Sequence, residues 1–259
     1  MTSSPTLPPN AGICRLCLAS RPLVNSHIIS DFQFKALKKT DGYFHVLSPN
    51  PAKKELKQQR GFTERLLCAE CDNVRLQRNE DYFARLCARG DLPNTTQHGR
   101  FLIFRDHDYK RTKNFLLSVL WRMSISSLEV FKAVSLGPQH EEILRAGLLA
   151  DREFAEDEYP VTVTAPLFDG VFHEDFILQP DAARMDGNRT YRCVIAGLLY
   201  TFFVGAAPLQ PALRALSLRR DEFPVARMEV REIPFLAQAV GELGRANNLR
   251  AGIQPDQGG

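Results

Sequence analysis

The clearest pattern of apolar and polar positions predicts a long helix over Lys113–Val134. Apolar side chains such as Leu116 and Leu120 recur there every three or four residues, which is the spacing of one buried helix face. A Gly-Pro pair at residues 137–138 indicates the end of this helix, because proline cannot continue it. The segment His140–Leu149 predicts a second helix, so this part of the chain is expected to form a helical layer.

After residue 159 the pattern changes to the alternation that is typical of strands. Val161, Val163 and Ala165 alternate with Thr, and Asp169-Gly170 is a hairpin signal. Three further strand segments and a last helix are predicted at Val171–Leu178, Arg192–Val204, Val225–Ile233 and Pro234–Asn247. We therefore expect a small, mostly antiparallel sheet after the helical layer, in a C-terminal α+β domain at residues 101–250.

The first third of the chain predicts shorter elements. Leu23–Ile29 and Tyr43–Leu47 have the composition of strands, and the segment after Cys71 has the apolar spacing of a helix that Gly90 ends. A polar loop near residues 94–99 is the predicted domain boundary, followed by a short strand at Phe101–Phe104. Residues 1–12 and 251–259 are rich in small and polar residues and are expected to be disordered.

The charge is distributed unevenly along the chain. The 259 residues carry a net charge of only +3, with 44% hydrophobic and 24% charged residues, which excludes a wholly disordered, collagen-like or coiled-coil chain. Residues 1–90 hold 14 Lys/Arg and 8 Asp/Glu residues, a net charge of +6, and the remainder has −3. A basic module beside a nearly neutral body predicts that the front of the protein meets a polyanion.

The cysteines and the apolar segments indicate in which cellular compartment the protein is expected. No signal peptide or membrane-spanning run is visible, so no membrane contact is expected. A secreted disulfide framework would be denser than six cysteines in 259 residues, which favours a reducing, cytoplasmic setting. Cys87 and Cys193 lie among apolar neighbours and are interpreted as buried thiols.

Four of the cysteines form two Cys-x-x-Cys pairs, Cys14/Cys17 and Cys68/Cys71. Two such pairs can supply four thiolates to one tetrahedral Zn²⁺, which would stabilise a module with little core of its own. Two unrelated turns or a thiol redox pair are the alternatives, although the βαβ pattern that normally accompanies a redox pair is missing. With four sulfur ligands the zinc would be structural, because no coordination position stays open.

The combination of CRLC at 14–17, SHII at 26–29 and LLCAECDN at 66–73 resembles the HNH nucleases. The resemblance covers residues 14–88 and implies a zinc-stapled ββα-metal module, so that the fold class is α+β with this module at residues 13–92. It also implies that His27 is the general base and that Asp72 binds a catalytic Mg²⁺ or Mn²⁺. Asn73 and Glu64 are the further candidate catalytic residues.

Four positions depart from the pattern of the HNH nucleases. Ser26 stands where an acidic residue or histidine commonly binds the metal, and Ser30 replaces a frequent proline. The usual middle asparagine is replaced around Thr63-Glu64, and Asp72 takes the place of the last His or Asn. These departures keep open a catalytically degenerate module that binds nucleic acid or a partner protein.

Basic residues between the two cysteine pairs fit a nucleic-acid partner. Phosphate neutralisation by such side chains gives sequence-independent, salt-sensitive affinity, although a solvated loop is the simpler reading of a lysine-rich segment. The candidates for DNA contact are Lys35, Lys38, Lys39, Lys53, Lys54, Lys57 and Arg60. The sequence therefore predicts an endonuclease acting on double-stranded DNA, of the kind found in restriction and antiviral defence, with residues 101–250 serving recognition, control or homo-oligomer formation.

Overall fold

The computed structural model describes residues 10–37, 44–48, 56–88, 95–174 and 176–241. It is a mixed α+β structure with two sheets, as the sequence predicts. The strands are β1 Ala11–Ile13, β2 Ser20–His27, β3 Phe44–Leu47, β4 Leu56–Gln58, β5 Thr63–Cys68, β6 Thr95–His98, β7 Phe101–Arg105, β8 Val161–Phe168, β9 Val171–Phe172, β10 Phe176–Met185, β11 Asn188–Ile195, β12 Leu198–Val204 and β13 Glu222–Glu229. The helices are α1 Asp31–Leu37, α2 Gln77–Ala88, α3 Tyr109–Ile125, α4 Pro138–Leu149 and α5 Pro211–Leu216.

The N-terminal cysteine pairs lie on a small ββα arrangement. Strands β1, β2 and β5 form an antiparallel three-stranded sheet in which His27 pairs with Thr63 and Leu23 with Cys68. The chain leaves β5 directly into a helix, whose π-helical turn Cys71–Leu76 runs into α2. A strand pair followed by this helix is the arrangement that the HNH resemblance implies.

The larger sheet has the strand order β4-β3-β10-β11-β12-β8-β13-β7-β6, with β9 paired to β8. One predicted hairpin is present, in which Asp169-Gly170 joins β8 to β9. The φ angles of these two residues are 49° and 81°, and a type I′ turn requires positive values at both positions. Two of its pairings are parallel, β13 with β8 and β3 with β10. The sheet is thus mostly antiparallel, as the sequence predicts, but with ten strands it is larger than the small sheet expected. The two parallel pairings were not predicted, because their partners come from segments far apart in the chain.

One apolar core joins the two parts of the chain. It contains Leu67 and Phe83 from the N-terminal segment together with Trp121, Val163 and Phe223 from the rest. The strands β3 and β4, which lie between the cysteine pairs in sequence, belong to the larger sheet. The ranges 13–92 and 101–250 are therefore joined by strand pairing and by a shared core.

Most predicted elements are present with shifted bounds. The long helix begins at Tyr109, where the Asp108 side chain accepts a hydrogen bond from the Arg111 N–H, and it ends at Ile125. A short 3₁₀ turn, Glu129–Phe131, occupies part of the range predicted as helix. Residues 234–241 of the predicted last helix are helical, and its remaining residues lie outside the described ranges. The prediction of disorder over residues 1–12 is wrong at its end, because Ala11 and Gly12 belong to β1 and pair with β2. Residues 1–9 and 251–259 lie outside the described ranges.

Candidate functional site

The four cysteines of the two pairs converge on one point. Cys14 and Cys17 lie on the turn between β1 and β2, Cys68 ends β5, and Cys71 begins the π-helical turn. Their sulfur atoms all lie within 4.8 Å of one another, and the Cys17 and Cys68 Sγ atoms are 3.9 Å apart. Three of the four side chains are buried, so the cluster is a closed one.

The chemistry of this cluster fits a zinc ion. Burial raises the pKa of Cys68 and of Cys71, which disfavours their thiolates when no cation is near. Burial acts in the same direction on Cys14, but backbone hydrogen bonds outweigh it and lower the pKa of Cys14 to about 7. One of these is donated by the Cys68 N–H to the Cys14 Sγ, at 3.3 Å. Four crowded sulfurs become compatible with ionisation once a divalent cation neutralises them, as in a Cys₄ zinc site.

His27 ends β2 and has a half-exposed side chain. Its Nε2 lies 4.0 Å from the Asp31 Oδ1, and the two side chains are 38% and 47% exposed. Its main-chain oxygen accepts a hydrogen bond from the Arg122 Nη1 at 2.6 Å, which fastens the strand end to α3. The imidazole therefore lies at the surface of the fold, where it is accessible to solvent. Sequence reasoning missed Asp31, whose position four residues after His27 at the start of a helix was the available signal.

Asp72, in the first turn after Cys71, lies in the same neighbourhood. Burial raises the pKa of its carboxyl group, and the positive charge of Arg122, the hydroxyl of Ser26 and the charge of His27 oppose that rise. The Ser26 side chain is completely buried, and its hydroxyl has no other hydrogen-bond partner among the described residues, so it is available to the Asp72 carboxylate. Asp72 is thus a partly buried carboxylate whose desolvation is only partly compensated by its neighbours.

The other predicted carboxylate, Glu64, is engaged elsewhere. Its two oxygens accept hydrogen bonds from the hydroxyls of Ser126 and Ser127, at 2.7 and 2.6 Å, and from the Ser127 N–H. These contacts hold the chain where it leaves α3. Asn73 is exposed, and no contact joins it to Asp72 among the described residues. Neither Glu64 nor Asn73 is therefore seen to add an oxygen ligand beside Asp72.

Arg122 is a second residue that sequence reasoning missed. Its side chain is 2% exposed, and its Nη1 lies 3.7 Å from the Glu80 Oε2 on α2. It therefore places a buried positive charge between Glu80, the His27 carbonyl and the surroundings of Asp72. The apolar pattern of α3 concealed it, because an arginine in such a stripe normally marks the solvent side.

The structure describes only some of the predicted DNA-contact residues. Arg60 is exposed. Lys35 lies in α1 and Lys57 in β4, but their side chains are not among the described atoms. Four others, Lys38, Lys39, Lys53 and Lys54, lie outside the described residues. DNA contact by these residues stays a prediction.

Comparisons with protein-family models, curated proteins and solved structures found no match to this chain. Among the described residues, the four cysteines are the one group of three or more His, Cys, Asp or Glu side chains close enough to share a metal. No helix in the described ranges is long and apolar enough to cross a membrane. The metal cluster of four cysteines is therefore the firmest feature of the site.

Proposed function

We propose that this protein is a metal-dependent endonuclease of the HNH type, which hydrolyses phosphodiester bonds in DNA. The observation that carries the proposal is that His27, at the end of β2, and Asp72, in the first turn of the helix after β5, interact with each other within a ββα unit whose sulfur cluster fits zinc. The strand supplies an accessible imidazole, and the helix supplies a carboxylate whose burial is incompletely compensated. A base and an oxygen ligand are the two groups that such a hydrolysis requires.

In this proposal His27 removes the proton from the attacking water. With a proton on Nε2, which faces the Asp31 carboxylate 4.0 Å away, the lone pair of Nδ1 is free to accept that proton. The ring then becomes an imidazolium, and the negative charge of Asp31 stabilises it. The Arg122 hydrogen bond to the His27 carbonyl fixes the strand end, so that the imidazole keeps its position.

Asp72 would hold the catalytic cation, Mg²⁺ or Mn²⁺. A hard cation bound through one or two carboxylates keeps several waters, which suits a site with a single well-placed protein ligand. When bound, the cation would stabilise negative charge on the phosphate and on the departing oxygen. The zinc of the cysteine cluster would have no part in the reaction and would hold β5 and α2 against the N-terminal turn.

Nicking of supercoiled plasmid by the zinc-loaded protein tests the proposal. We expect cleavage only when Mg²⁺ or Mn²⁺ is added, and strong loss of cleavage in His27→Ala and Asp72→Asn. His98→Ala is the matched control, because His98 is an exposed histidine on β6, outside this site. Absence of divalent-dependent nicking in the wild-type protein, or equal nicking in His27→Ala, would contradict the proposal.

A specific observation favours a second candidate, a catalytically inactive zinc module that binds nucleic acid. The buried guanidinium of Arg122 already places a positive charge near Glu80 and Asp72, where a nuclease of this type would place its cation. For this candidate we expect fluorescence anisotropy to show DNA binding that weakens steeply with salt, without nicking under either metal. Nicking that requires His27 would rule it out.

A further inference from the structure

A cavity of about 370 Å³ lies between the C-terminal end of α2 and one face of the larger sheet. Its volume is in the range of small-molecule sites, about 300–1,000 Å³. The sheet face contributes alternate residues of neighbouring strands: Leu102 and Val225 pair directly, and Val225 pairs with Val163. Since α2 is 12 residues long and Asp72 precedes it, the helix separates the cavity from the proposed nuclease site by about 18 Å.

The walls of the cavity are apolar, and several of their side chains remain partly accessible within the part of the chain that the structure describes. Leu86, Leu102, Phe104 and Leu198 are only partly buried although they pack against the core, and Phe172 is 40% exposed. A contiguous apolar surface of this kind is uncommon on a folded protein without a ligand or partner.

Cys87 corrects one prediction from the sequence. It was interpreted from its apolar neighbours as a buried thiol, but it is exposed to solvent and lines this cavity.

One cationic side chain, Arg227, lines this otherwise apolar cavity. It is half-buried, and its guanidinium has no ion pair or side-chain hydrogen bond within the described part of the chain. Its neighbour Arg100 differs, because Arg100 pairs with Glu232 at 3.4 Å and does not line the cavity. Next to Arg227 in the sheet register stands the small Ala165, which lines the same cavity.

We propose that this cavity binds a small amphipathic carboxylate, with its hydrocarbon body on the sheet face and its carboxylate on Arg227. The pairing follows from complementarity: apolar burial favours a hydrocarbon chain, and a guanidinium that lacks a partner can receive a carboxylate through two parallel hydrogen bonds. The ligand class is that of a medium-chain fatty acid. The proposal is independent of the nuclease assignment, since it uses none of the residues of that site.

Isothermal titration calorimetry with decanoate, below its micelle concentration, tests this proposal on the full-length, zinc-loaded protein. We expect wild-type protein to bind decanoate at one site and to bind decyltrimethylammonium at least tenfold more weakly, because the cationic head would meet Arg227. Arg227→Gln is expected to weaken decanoate binding about tenfold or more, whereas the matched control Arg100→Gln is expected to change it less than twofold.

The comparison of the two ligands on wild-type protein needs no variant, so it decides the question even if Arg227→Gln folds poorly. No decanoate binding by wild-type protein, equal affinity for the cationic ligand, or unchanged affinity in a folded Arg227→Gln would each overturn the proposal.

Discussion

Replacing Arg122 by methionine removes a buried charge that connects α3 to the strand that carries His27 and to the helix that follows Asp72. The guanidinium is 2% exposed and the Glu80 side chain 14% exposed, so the pair is shielded from solvent. The same group donates a 2.6 Å hydrogen bond to the His27 carbonyl oxygen, and its Nε donates to the Ser118 carbonyl within α3. Methionine keeps much of the length of the side chain but none of these contacts.

The cost is large because Glu80 is left behind as an unpaired, mostly buried charge. Removing one partner of a buried ion pair costs about 3–5 kcal/mol. For a protein of this size that loss lowers the melting temperature by roughly 6–20 °C. The exposed pair of Arg111 and Asp108 on the same helix, at 3.2 Å and 44% exposure, gives the matched control, for which we expect less than about 1 kcal/mol in Arg111→Met.

Urea unfolding of the zinc-loaded protein, followed by circular dichroism, measures these free energies. A double-mutant cycle adds Glu80→Gln, and we expect Arg122→Met/Glu80→Gln to be more stable than Arg122→Met alone because the orphaned charge is gone. A loss below about 1 kcal/mol in Arg122→Met, or strictly additive effects in the cycle, would refute the view that Arg122 neutralises Glu80.

Three other changes have defined outcomes. Cys68→Ser is expected to lose the single bound zinc in native mass spectrometry and to be strongly destabilised, whereas Cys87→Ser keeps the metal; one retained zinc in Cys68→Ser would contradict the four-sulfur site. Glu64→Gln is expected to lower unfolding stability by about 1–3 kcal/mol through its serine contacts, with nicking retained, and a selective loss of nicking would assign it a catalytic role instead. Lys113 is fully buried, and burial lowers its pKa to about 7, so the unfolded chain binds its proton more tightly and stability should rise from pH 7 to pH 10. This rise in stability should be absent in Lys113→Met. If stability increases equally with pH in both proteins, Lys113 is not the group that causes the increase.

Short sequence patterns predicted the parts of the structure that depend on residues close together in the chain. The Cys-x-x-Cys spacing identified the sulfur cluster, since each tight turn places two sulfurs together. The Asp169-Gly170 pair identified a hairpin because both residues adopt positive φ angles there. The alternation at Val161–Ala165 likewise became β8.

Short sequence patterns could not predict contacts between residues that lie far apart in the chain. Glu64 accepts hydrogen bonds from Ser126 and Ser127, more than sixty residues away, and a carboxylate near the cysteine pair therefore looked like a ligand candidate. Arg122 contacts the His27 carbonyl across 95 residues. The parallel pairing of β3 with β10 has the same origin, because periodicity reports which face of a segment is buried but not the element that covers it.

Chemical rescue of His27→Ala in the plasmid assay tests the central claim most directly. General-base catalysis by a side chain contributes about 10²–10⁴-fold, so we predict a loss of that size in the Mg²⁺-dependent nicking rate and partial recovery on adding imidazole. Zinc content and melting temperature should stay at the wild-type values. A variant that nicks DNA at the wild-type rate without imidazole would contradict the assignment of His27 as the base.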